Sequence, residues 1–441
     1  MKRPDYQSWG RHPRAEQEVV RLWSRHGTFP VDQVDGKTAL PRGNGRSYGD
    51  SCLNDGGILI DARGLDRFIS FDPAAGILRC EAGVLLAEIL RLFVPKGWFI
   101  PATPGTRLIT VGGAIANDVH GKAHHRDGTF GRHVRCFELL RSDGSRLSCS
   151  PTENREWYEA TIGGLGLTGI ILWAEIQLKP VISPYIESET IKCGNLDEFF
   201  SVSAESDQEY EYTVAWLDCT ARGTRLGRGL FSRGNHAPAD MWIKPRTPGH
   251  GYTFPFKPPV SLVNSLTLRA FNLLYYNRQR KRRLRETVHY APFFYPLDAV
   301  LEWNRIYGPR GFFQYQCVLP RDDARAAVRE LLGRIAASGE GSFLAVMKEF
   351  GDLPSPGILS FPRPGVTLAV DFPNRGQRTL QLMEHLDEVV RSAGGRDYPA
   401  KDARMSAENF RHYYPRWRDL LPFIDPRISS SFWRRVTGAM T

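Results

Sequence analysis

Apolar positions recur at two different spacings in the first 180 residues of the chain. The segment VLLAEILRLFVPKGW at 84–98 places them at helical spacing and ends near Gly97, which is typical of a helix C-terminus. The segment 15–26 also resembles a helix. Short apolar or alternating runs predict strands at 76–83, 137–150 and 167–181. The run at 137–150 contains an Asp-Gly turn and is expected to form a hairpin.

The pattern changes near residue 185. Longer alternating segments, YEYTVAWLDC at 210–219 and FFQYQCVLP at 312–320, predict strands, and helical spacing returns at 322–338. Further strands are predicted at 343–351 and 366–373, and a further helix at 379–393. This second half looks like a separate α+β domain, and 441 residues are enough for two domains.

Composition narrows the class of protein. Hydrophobic residues make up 41% and charged residues 24%, as in an ordinary soluble globular chain. The seven cysteines form no C-x-x-C pair, which favours reduced thiols and gives no support for a metal site. The first residues show no secretory signal, and no stretch approaches 18 uninterrupted apolar residues. We therefore expect a cytoplasmic or membrane-associated protein.

The formal charge of +10 predicts anionic partners, and much of it is concentrated in one place. RQRKRRLR at 278–285 holds six basic residues and directly follows the amphipathic segment 260–276. One interpretation is an interfacial helix with a basic flank, and the other is a surface helix followed by a solvated loop. Nucleic-acid binding lacks support, because no recognisable nucleic-acid motif accompanies the basic run.

Two glycine-rich segments carry the strongest sign of a ligand. ATPGTRLITVGGAIANDVHGK at 102–122 and PRGNGRSYGD at 41–50 bring backbone close to a partner, because glycine has no Cβ and reaches positive φ. The loop at 41–50, the first glycine loop along the chain, is not a Rossmann fingerprint. It continues into a strand, whereas a Rossmann turn would open a helix. A split nest of N–H groups for a pyrophosphate fits both segments, and ordinary structural turns are the alternative.

Several motifs along nearly the whole chain resemble one flavoenzyme family. They include the two glycine segments, GGLGLTGII at 163–171, WNRIYGPRGFFQYQ at 303–316, SFLAVMK at 342–348, VDFP at 370–373 and YPAKDAR at 398–404. The first three resemble the FAD domain of the vanillyl-alcohol oxidase / p-cresol methylhydroxylase (PCMH) superfamily. Within that superfamily the chain is most similar to the decaprenylphosphoryl-β-D-ribose oxidase family, the flavoenzyme half of an epimerase.

The resemblance implies an α+β fold with a two-part FAD-binding domain of PCMH type. It places the FAD-binding domain at 1–184, an inserted substrate domain built on an antiparallel sheet at 185–395, and a C-terminal segment that returns to the FAD domain at 396–441. A basic loop is expected at 260–286 within the inserted domain.

The same resemblance implies which residues bind FAD. A histidine that carries a covalent flavin in some superfamily members is missing from the first loop, so the cofactor is expected to bind non-covalently. The expected contacts are Gly43, Asn44, Gly45, Arg46, Ser47, Tyr48, Gly105, Thr110, Val111, Gly112, Gly113, Asn117, His120, Gly121, Ile170 and Tyr398.

Oxidation of a secondary alcohol by a flavin also needs a group that handles the hydroxyl proton. Lys401 matches the family's active-site lysine and is expected to act as a base or as a hydrogen-bond bridge, with its pKa lowered by desolvation. His120 is the second expected catalytic residue. Substrate contacts are expected from Tyr48, Lys122, Gln314, Gln316, Lys348 and Thr367.

Two positions in one strand depart from the resembled family. Its mycobacterial members carry a cysteine before VDFP where this chain has Ala369, and an asparagine where it has Thr367. The cysteine is assigned no chemical step, so catalysis need not suffer, whereas the exact sugar contacts are left open by Thr367.

Three hypotheses follow. The leading one is oxidation of the 2′-hydroxyl of a polyprenyl-phospho-β-D-ribofuranose to a 2′-keto sugar, which a separate short-chain NAD(P)H-dependent reductase would convert to the arabinose form for cell-envelope arabinan. The second is an FAD-dependent oxidase of a soluble alditol or aldonolactone. The third is a basic membrane-surface or nucleic-acid-binding protein whose glycine loops are structural. The leading hypothesis implies peripheral membrane contact and no nucleic acid.

Overall fold

A small parallel sheet carries the first glycine loop. The computed structural model describes residues 6–30, 36–238 and 252–438, and in it Ile58–Asp61 lies between Glu18–Arg21 and Ala39–Arg42. The helix predicted over 15–26 is wrong, because the backbone there pairs with a neighbouring strand. The amide of Glu18 donates to Gly57 O and that of Leu22 to Asp61 O, so tertiary pairing overrides local spacing.

A five-stranded antiparallel sheet completes the first unit. The hairpin predicted at 137–150 is confirmed, since Val134–Leu140 pairs with Arg146–Cys149. The helix predicted at 84–98 is confirmed as Leu86–Phe93, extended by a 3-10 turn that ends at Gly97 in the left-handed region. The strand order is Phe68–Asp72, Ile77–Glu81, Ile170–Gln177, Val134–Leu140, Arg146–Cys149.

Short elements complete this unit. Two-residue strands pair Trp98–Phe99 with Lys179–Pro180, and the described helices are Val111–Ala116, His124–Asp127 and Arg155–Thr161.

An eight-stranded antiparallel sheet forms the second unit, and the strands predicted at 210–219, 312–320, 343–351 and 366–373 all belong to it. In spatial order the strands are Arg283–His289, Tyr185–Cys193, Gly229–His236, Tyr212–Leu217, Ala345–Phe350, Gly365–Pro373, Phe312–Leu319 and Arg396–Asp397. The last strand comes from the C-terminal segment and pairs with Cys317 and Val318.

Helices cover one face of this sheet. Alternation along the strands turns residues such as Phe313, Leu368 and Met347 into a core shared with the helices, and it turns their sequence neighbours to the other face. Leu196–Ser206, Arg321–Ser338 and Gln377–Ser392 supply the helical side of that core.

Within the region expected as a basic loop at 260–286, the amphipathic part forms the helix Ser265–Asn277, and residues from 283 onwards belong to a strand, so the loop label is wrong for those two stretches. Asn264 caps the helix Ser265–Asn277 by accepting hydrogen bonds from the amides of Leu266 and Thr267. The end of the basic run enters the edge strand Arg283–His289, where Arg285 Nε donates to the buried Glu189 at 2.9 Å. Charged side chains at a sheet edge also discourage pairing with other chains.

None of the helices in the described part of the chain is long and apolar enough to span a bilayer. Further short elements in the second unit are the helix Tyr290–Phe294 and the paired strands Tyr252–Thr253 and Val300–Leu301.

The C-terminal segment joins the first glycine loop to the segment that contains Lys401. The amide of Tyr48 donates to Ala400 O at 2.9 Å. Arg435, in the helix Ser431–Thr437, donates to Asp50 Oδ1 at 2.7 Å and to Asp402 Oδ2 at 2.8 Å. A second helix of this segment is Ala407–Tyr413.

A methyl group at Gly49 should test how tightly this junction is packed. A Cβ there would lie 1.6 Å from the backbone oxygen of Asp402, which cannot rotate away. We expect Gly49→Ala to lower the free energy of unfolding by about 1–3 kcal/mol or more, measured by chemical denaturation. Gly333→Ala is the matched control, because a Cβ at this helical position meets nothing within 4 Å. This change should raise the free energy of unfolding by roughly 0.5–1 kcal/mol. Equal effects of the two changes would contradict the tight junction.

Candidate active site

The largest cavity described lies between the glycine segments and the helix-free face of the large sheet. Its volume is about 520 Å³, within the range of roughly 300–1,000 Å³ usual for ligand pockets. The predicted site residues that line it are Gly43, Asn44, Gly45, Arg46, Ser47, Tyr48, Gly105, Thr110, Gly112, Gly113, Asn117, His120, Ile170, Gln314, Gln316, Lys348, Thr367, Tyr398 and Lys401. The remaining three, Val111, Gly121 and Lys122, are not among its lining residues.

The first glycine loop offers hydrogen-bond donors to a ligand. Among the described residues, no acceptor pairs with the backbone amides of Asn44, Gly45, Arg46 or Ser47. Gly45 has φ +61°, a conformation that side chains with a Cβ rarely adopt, and its loop is tied down by Asn44 Nδ2 donating to Leu108 O at 2.7 Å. Consecutive amides that line a cavity and lack protein acceptors can converge on one anion, so this loop fits a pyrophosphate.

The second glycine segment has a different role from the one expected. Thr110 caps the helix Val111–Ala116 by accepting from the amide of Gly113 at 3.1 Å. The amides of Val111 and Gly112 donate to the backbone oxygens of Val84 and Ala82. The expected nest of N–H groups at this segment is therefore wrong, because protein acceptors already use those amides. Because Gly112 and Gly113 have no side chains, they instead let a ligand approach the backbone of the cavity wall closely.

Gly121 permits close packing within the protein. A Cβ at this position would lie 2.0 Å from the backbone oxygen of Thr103, which explains the glycine without any ligand.

His120 is buried and faces the substrate side of the cavity. Its Nε2 lies 3.0 Å from Gln316 Nε2, so the amide N–H donates to an unprotonated ring nitrogen. Burial, with Lys348, His124 and Lys401 nearby, holds the pKa of His120 well below its usual value. The ring is therefore neutral near pH 7. Its Nδ1 has no partner within the described ranges.

Tyr398 connects the C-terminal segment to the glycine wall. Its hydroxyl donates to Asn117 O at 2.8 Å, and Asn117 Nδ2 donates to Gly113 O at 2.8 Å. The amide of Tyr398 donates to Gln316 O, so this tyrosine joins the sheet to the wall of the cavity.

Lys401 has the environment expected of a proton-handling amine. Its Nζ lies 3.8 Å from the ring centroid of Tyr48. Burial lowers the pKa of Lys401 to about 7, the charge of Asp371 opposes that shift, and the charge of Lys348 adds to it. Near neutral pH this amine can therefore either accept or donate a proton.

Asp371 is a member of the site that the sequence did not single out. It is fully buried, accepts from Gln314 Nε2 at 2.6 Å and from the Tyr307 hydroxyl at 3.4 Å, and lines the cavity. Burial raises its pKa to about 7. Its position in VDFP was the available sequence signal, whereas its register opposite Gln314 is known only from the structure. Because Gln314 donates to Asp371, its amide oxygen is left for a ligand hydroxyl.

Lys348 and Thr367 are register neighbours on adjacent strands of the same face. Burial lowers the pKa of Lys348 to about 8. Thr367 Oγ1 lies 3.4 Å from Gln316 Nε2, so a hydroxyl occupies the position of the family's asparagine. The cavity therefore combines two half-buried amines, two amides, a hydroxyl and a carboxyl group.

Lys122 does not reach this face, so the structure gives no support for its expected substrate contact. Its Nζ donates to the backbone oxygen of Phe293 and lies 4.5 Å from that residue's ring centroid. Burial lowers the pKa of Lys122 to about 7.

Similar proteins agree with this geometry. A family model described as FAD binding domain matches residues 13–150. The decaprenylphosphoryl-β-D-ribose oxidase of Mycolicibacterium smegmatis is 38% identical over 407 residues, which are 89% of this chain and 87% of that protein. An uncharacterised protein of Streptomyces coelicolor from the mprA 5′ region is 33% identical over 377 residues, 80% of this chain and 100% of that protein. Human Delta(24)-sterol reductase is 30% identical over 112 residues, 25% of this chain and 22% of that protein.

The protein is therefore an FAD-dependent oxidoreductase with an α+β fold. The chain belongs to the decaprenylphosphoryl-β-D-ribose oxidase family, since the similarity extends over most of both sequences. The residues present fit FAD, because the four amides of the first loop that lack protein acceptors can receive its phosphates.

Two substitutions should move the pKa of Lys401 in opposite directions. Asp371→Asn removes the negative charge that stabilises the ammonium, so the pKa should fall below about 7. Lys348→Met removes a repelling cation, so the pKa should rise. We expect both shifts to appear in the pH dependence of acetylation of Lys401 by acetic anhydride, followed by mass spectrometry. Shifts of the same sign, or none in either variant, would contradict this electrostatic arrangement.

Proposed function

We propose that the protein oxidises the 2′-hydroxyl of a polyprenyl-phospho-β-D-ribofuranose to the 2′-keto sugar. The observation that carries this proposal is the set of polar groups opposite the glycine loops, with the half-buried Lys401 and Lys348 and the buried Asp371 among them. Gln314 and Gln316 stand two apart on one strand, and their amides suit sugar hydroxyls. The name of the mycolicibacterial relative supports the same substrate class.

FAD, when bound, supplies the hydride acceptor for this oxidation. The protein's own contribution is to orient the sugar and to handle the hydroxyl proton. In its neutral form Lys401 Nζ can accept that proton, and in its charged form it can hold the oxygen by a hydrogen bond. We propose that FAD is held without a covalent bond, because Gly45, Arg46 and Ser47 replace the region where relatives carry a flavin-linked histidine.

A keto sugar is only half of an epimerisation. A separate short-chain NAD(P)H-dependent reductase would have to return a hydride to the opposite face of C2′. The arabinose product would then serve cell-envelope arabinan. The redox balance requires a two-electron reductant for this step, and the resemblance to the family suggests that a short-chain NAD(P)H-dependent enzyme supplies it.

We further propose that the protein rests on a membrane surface, where a polyprenyl substrate resides. The helix Ser265–Asn277 exposes Leu266, Leu273 and Leu274, which lie on one face of the helix and are 77%, 51% and 72% exposed. The basic residues at 278–285 follow directly and suit anionic headgroups.

Substrate choice separates the two enzymatic hypotheses. Under anaerobic conditions we expect a short prenyl-phospho-ribofuranose to bleach the flavin absorbance, with a rate at least about a hundredfold above that of free alditols or aldonolactones. The prenyl-phospho-arabinofuranose, epimeric at C2′, is the matched control for hydroxyl orientation. Faster bleaching by a soluble alditol would favour the second hypothesis instead.

The exposed leucines should govern membrane binding. Changing Leu266, Leu273 and Leu274 together to serine removes apolar area without disturbing the adjoining edge strand. We expect binding to anionic liposomes, measured by sedimentation, to weaken at least roughly tenfold. Leu421→Ser, at a leucine that is 46% exposed on the C-terminal segment, is the control and should bind as the unaltered protein does. Unchanged sedimentation of the triple variant would remove this helix from the proposal.

A further inference from the structure

Arg46 is a cavity cation without a carboxylate partner in the described part of the chain. The guanidinium of Arg46 lines the cavity, and its Cζ lies 4.3 Å from the ring centroid of Trp9. Its side chain makes a long hydrogen bond of 3.4 Å to Asn44 O, and no carboxylate among the described residues comes within ion-pair distance of it. Burial lowers the pKa of Arg46. A partly desolvated cation without a counter-ion is unfavourable unless a ligand supplies one.

The neighbouring carboxylate is already used. Asp298 lies near enough to influence Arg46 electrostatically. Its Oδ1 accepts from Thr106 Oγ1 at 2.7 Å, and its Oδ2 accepts from the amide of Arg107 at 3.0 Å. Asp298 therefore holds the loop at the cavity's edge and leaves the guanidinium of Arg46 available.

An aromatic wall connects Arg46 to Lys401. Trp9, which stacks on Arg46, lies 5.7 Å from Trp303, and Trp303 lies 5.7 Å from Phe312. Tyr48 completes the wall, 5.4 Å from Phe312 and 3.8 Å from Lys401 Nζ. These ring contacts link Trp9, which stacks on Arg46, to Tyr48, which contacts the amine that handles the hydroxyl proton.

The cavity becomes apolar and open beside Arg46. Leu297, Val300 and Leu301 line it there, next to Asp298 and Trp303. Val300 and Leu301 are 40% and 36% exposed, so this side of the cavity leads to solvent. The cavity therefore offers a polar face that includes Lys348 and Lys401, the guanidinium of Arg46, and an apolar lip.

We propose that the guanidinium of Arg46 binds the phosphodiester that joins sugar and lipid in the substrate. This assignment rests on the proposed function, whose substrate has a sugar, a phosphodiester and a prenyl chain in that order. Guanidinium binds phosphate oxygens in bidentate fashion, whereas Lys348 and Lys401 belong to the sugar end and Lys122 is occupied by Phe293. The backbone amide of Arg46 still belongs to the loop that fits FAD.

Binding of a sugar-free lipid tests the assignment without any turnover. The probes are farnesyl methyl phosphate, which is a phosphodiester, and farnesol, which lacks the charge. We expect the holoenzyme to bind the diester more tightly, measured by quenching of tryptophan fluorescence, and Arg46→Met to weaken diester binding roughly 10–100-fold while farnesol binding stays the same. The diester affinity of Arg46→Lys should lie between those of the unaltered protein and of Arg46→Met, because lysine keeps the charge but cannot bind a phosphate in bidentate fashion.

Arg107→Met is the matched control, since it removes a cation from the same edge that already has a carboxylate 3.9 Å away. It should leave the preference for the diester intact. If Arg46→Met loses affinity for both probes equally and also loses FAD, the assignment is overturned in favour of a cofactor role. If its affinity for the diester is unchanged, the assignment is overturned outright. If the diester preference depends on Arg46 but no prenyl-phospho-ribose is oxidised, the proposed function fails and the anion site stands.

Discussion

Strict alternation along three neighbouring antiparallel strands makes this site possible. In Phe312–Leu319, Ala345–Phe350 and Gly365–Pro373, one set of side chains enters a core shared with helices, and the other set faces the cavity. A slip of one residue in any register would exchange the two sets, placing polar side chains such as Lys348, Gln316 and Asp371 in an apolar core. The core on one face therefore fixes the chemistry on the other, and this coupling explains how a polar surface can be held so far from solvent.

Desolvation sets the character of that surface. Lys401, Lys348 and Asp371 lie in one cavity, and burial is the largest cause of the shift in each pKa. The result is a group of amines and a carboxyl that titrate close to neutral pH, where small charge displacements have large effects. The neutral His120 adds a hydrogen-bonding group without adding another cation.

Much of this arrangement was accessible from the sequence, because motifs identify residues well. Strand alternation predicted that Gln314 and Gln316 share a face, and the structure places both on the cavity. Spacing could not reveal that the amides of Val111 and Gly112 are used by Val84 and Ala82, because those partners are distant in sequence. For the same reason the sequence could not show that the amine of Lys122 is bound by the backbone oxygen of Phe293, which is 171 positions away. Asp371 was overlooked because a lone acid in a strand reveals its partners only once the register is known.

The junction at Arg435 has a consequence for how the protein is made. Asp50 and Asp402 are both held by this one guanidinium, which lies 385 residues after Asp50 in the chain. The small parallel sheet that carries the first glycine loop can form early in synthesis, but the loop gains its ion pair only when the last helix has left the ribosome. Stable capture of the cofactor would therefore be one of the final events of folding, and a chain shortened by its last helix would resemble the full protein in most elements while holding its cofactor loop loosely.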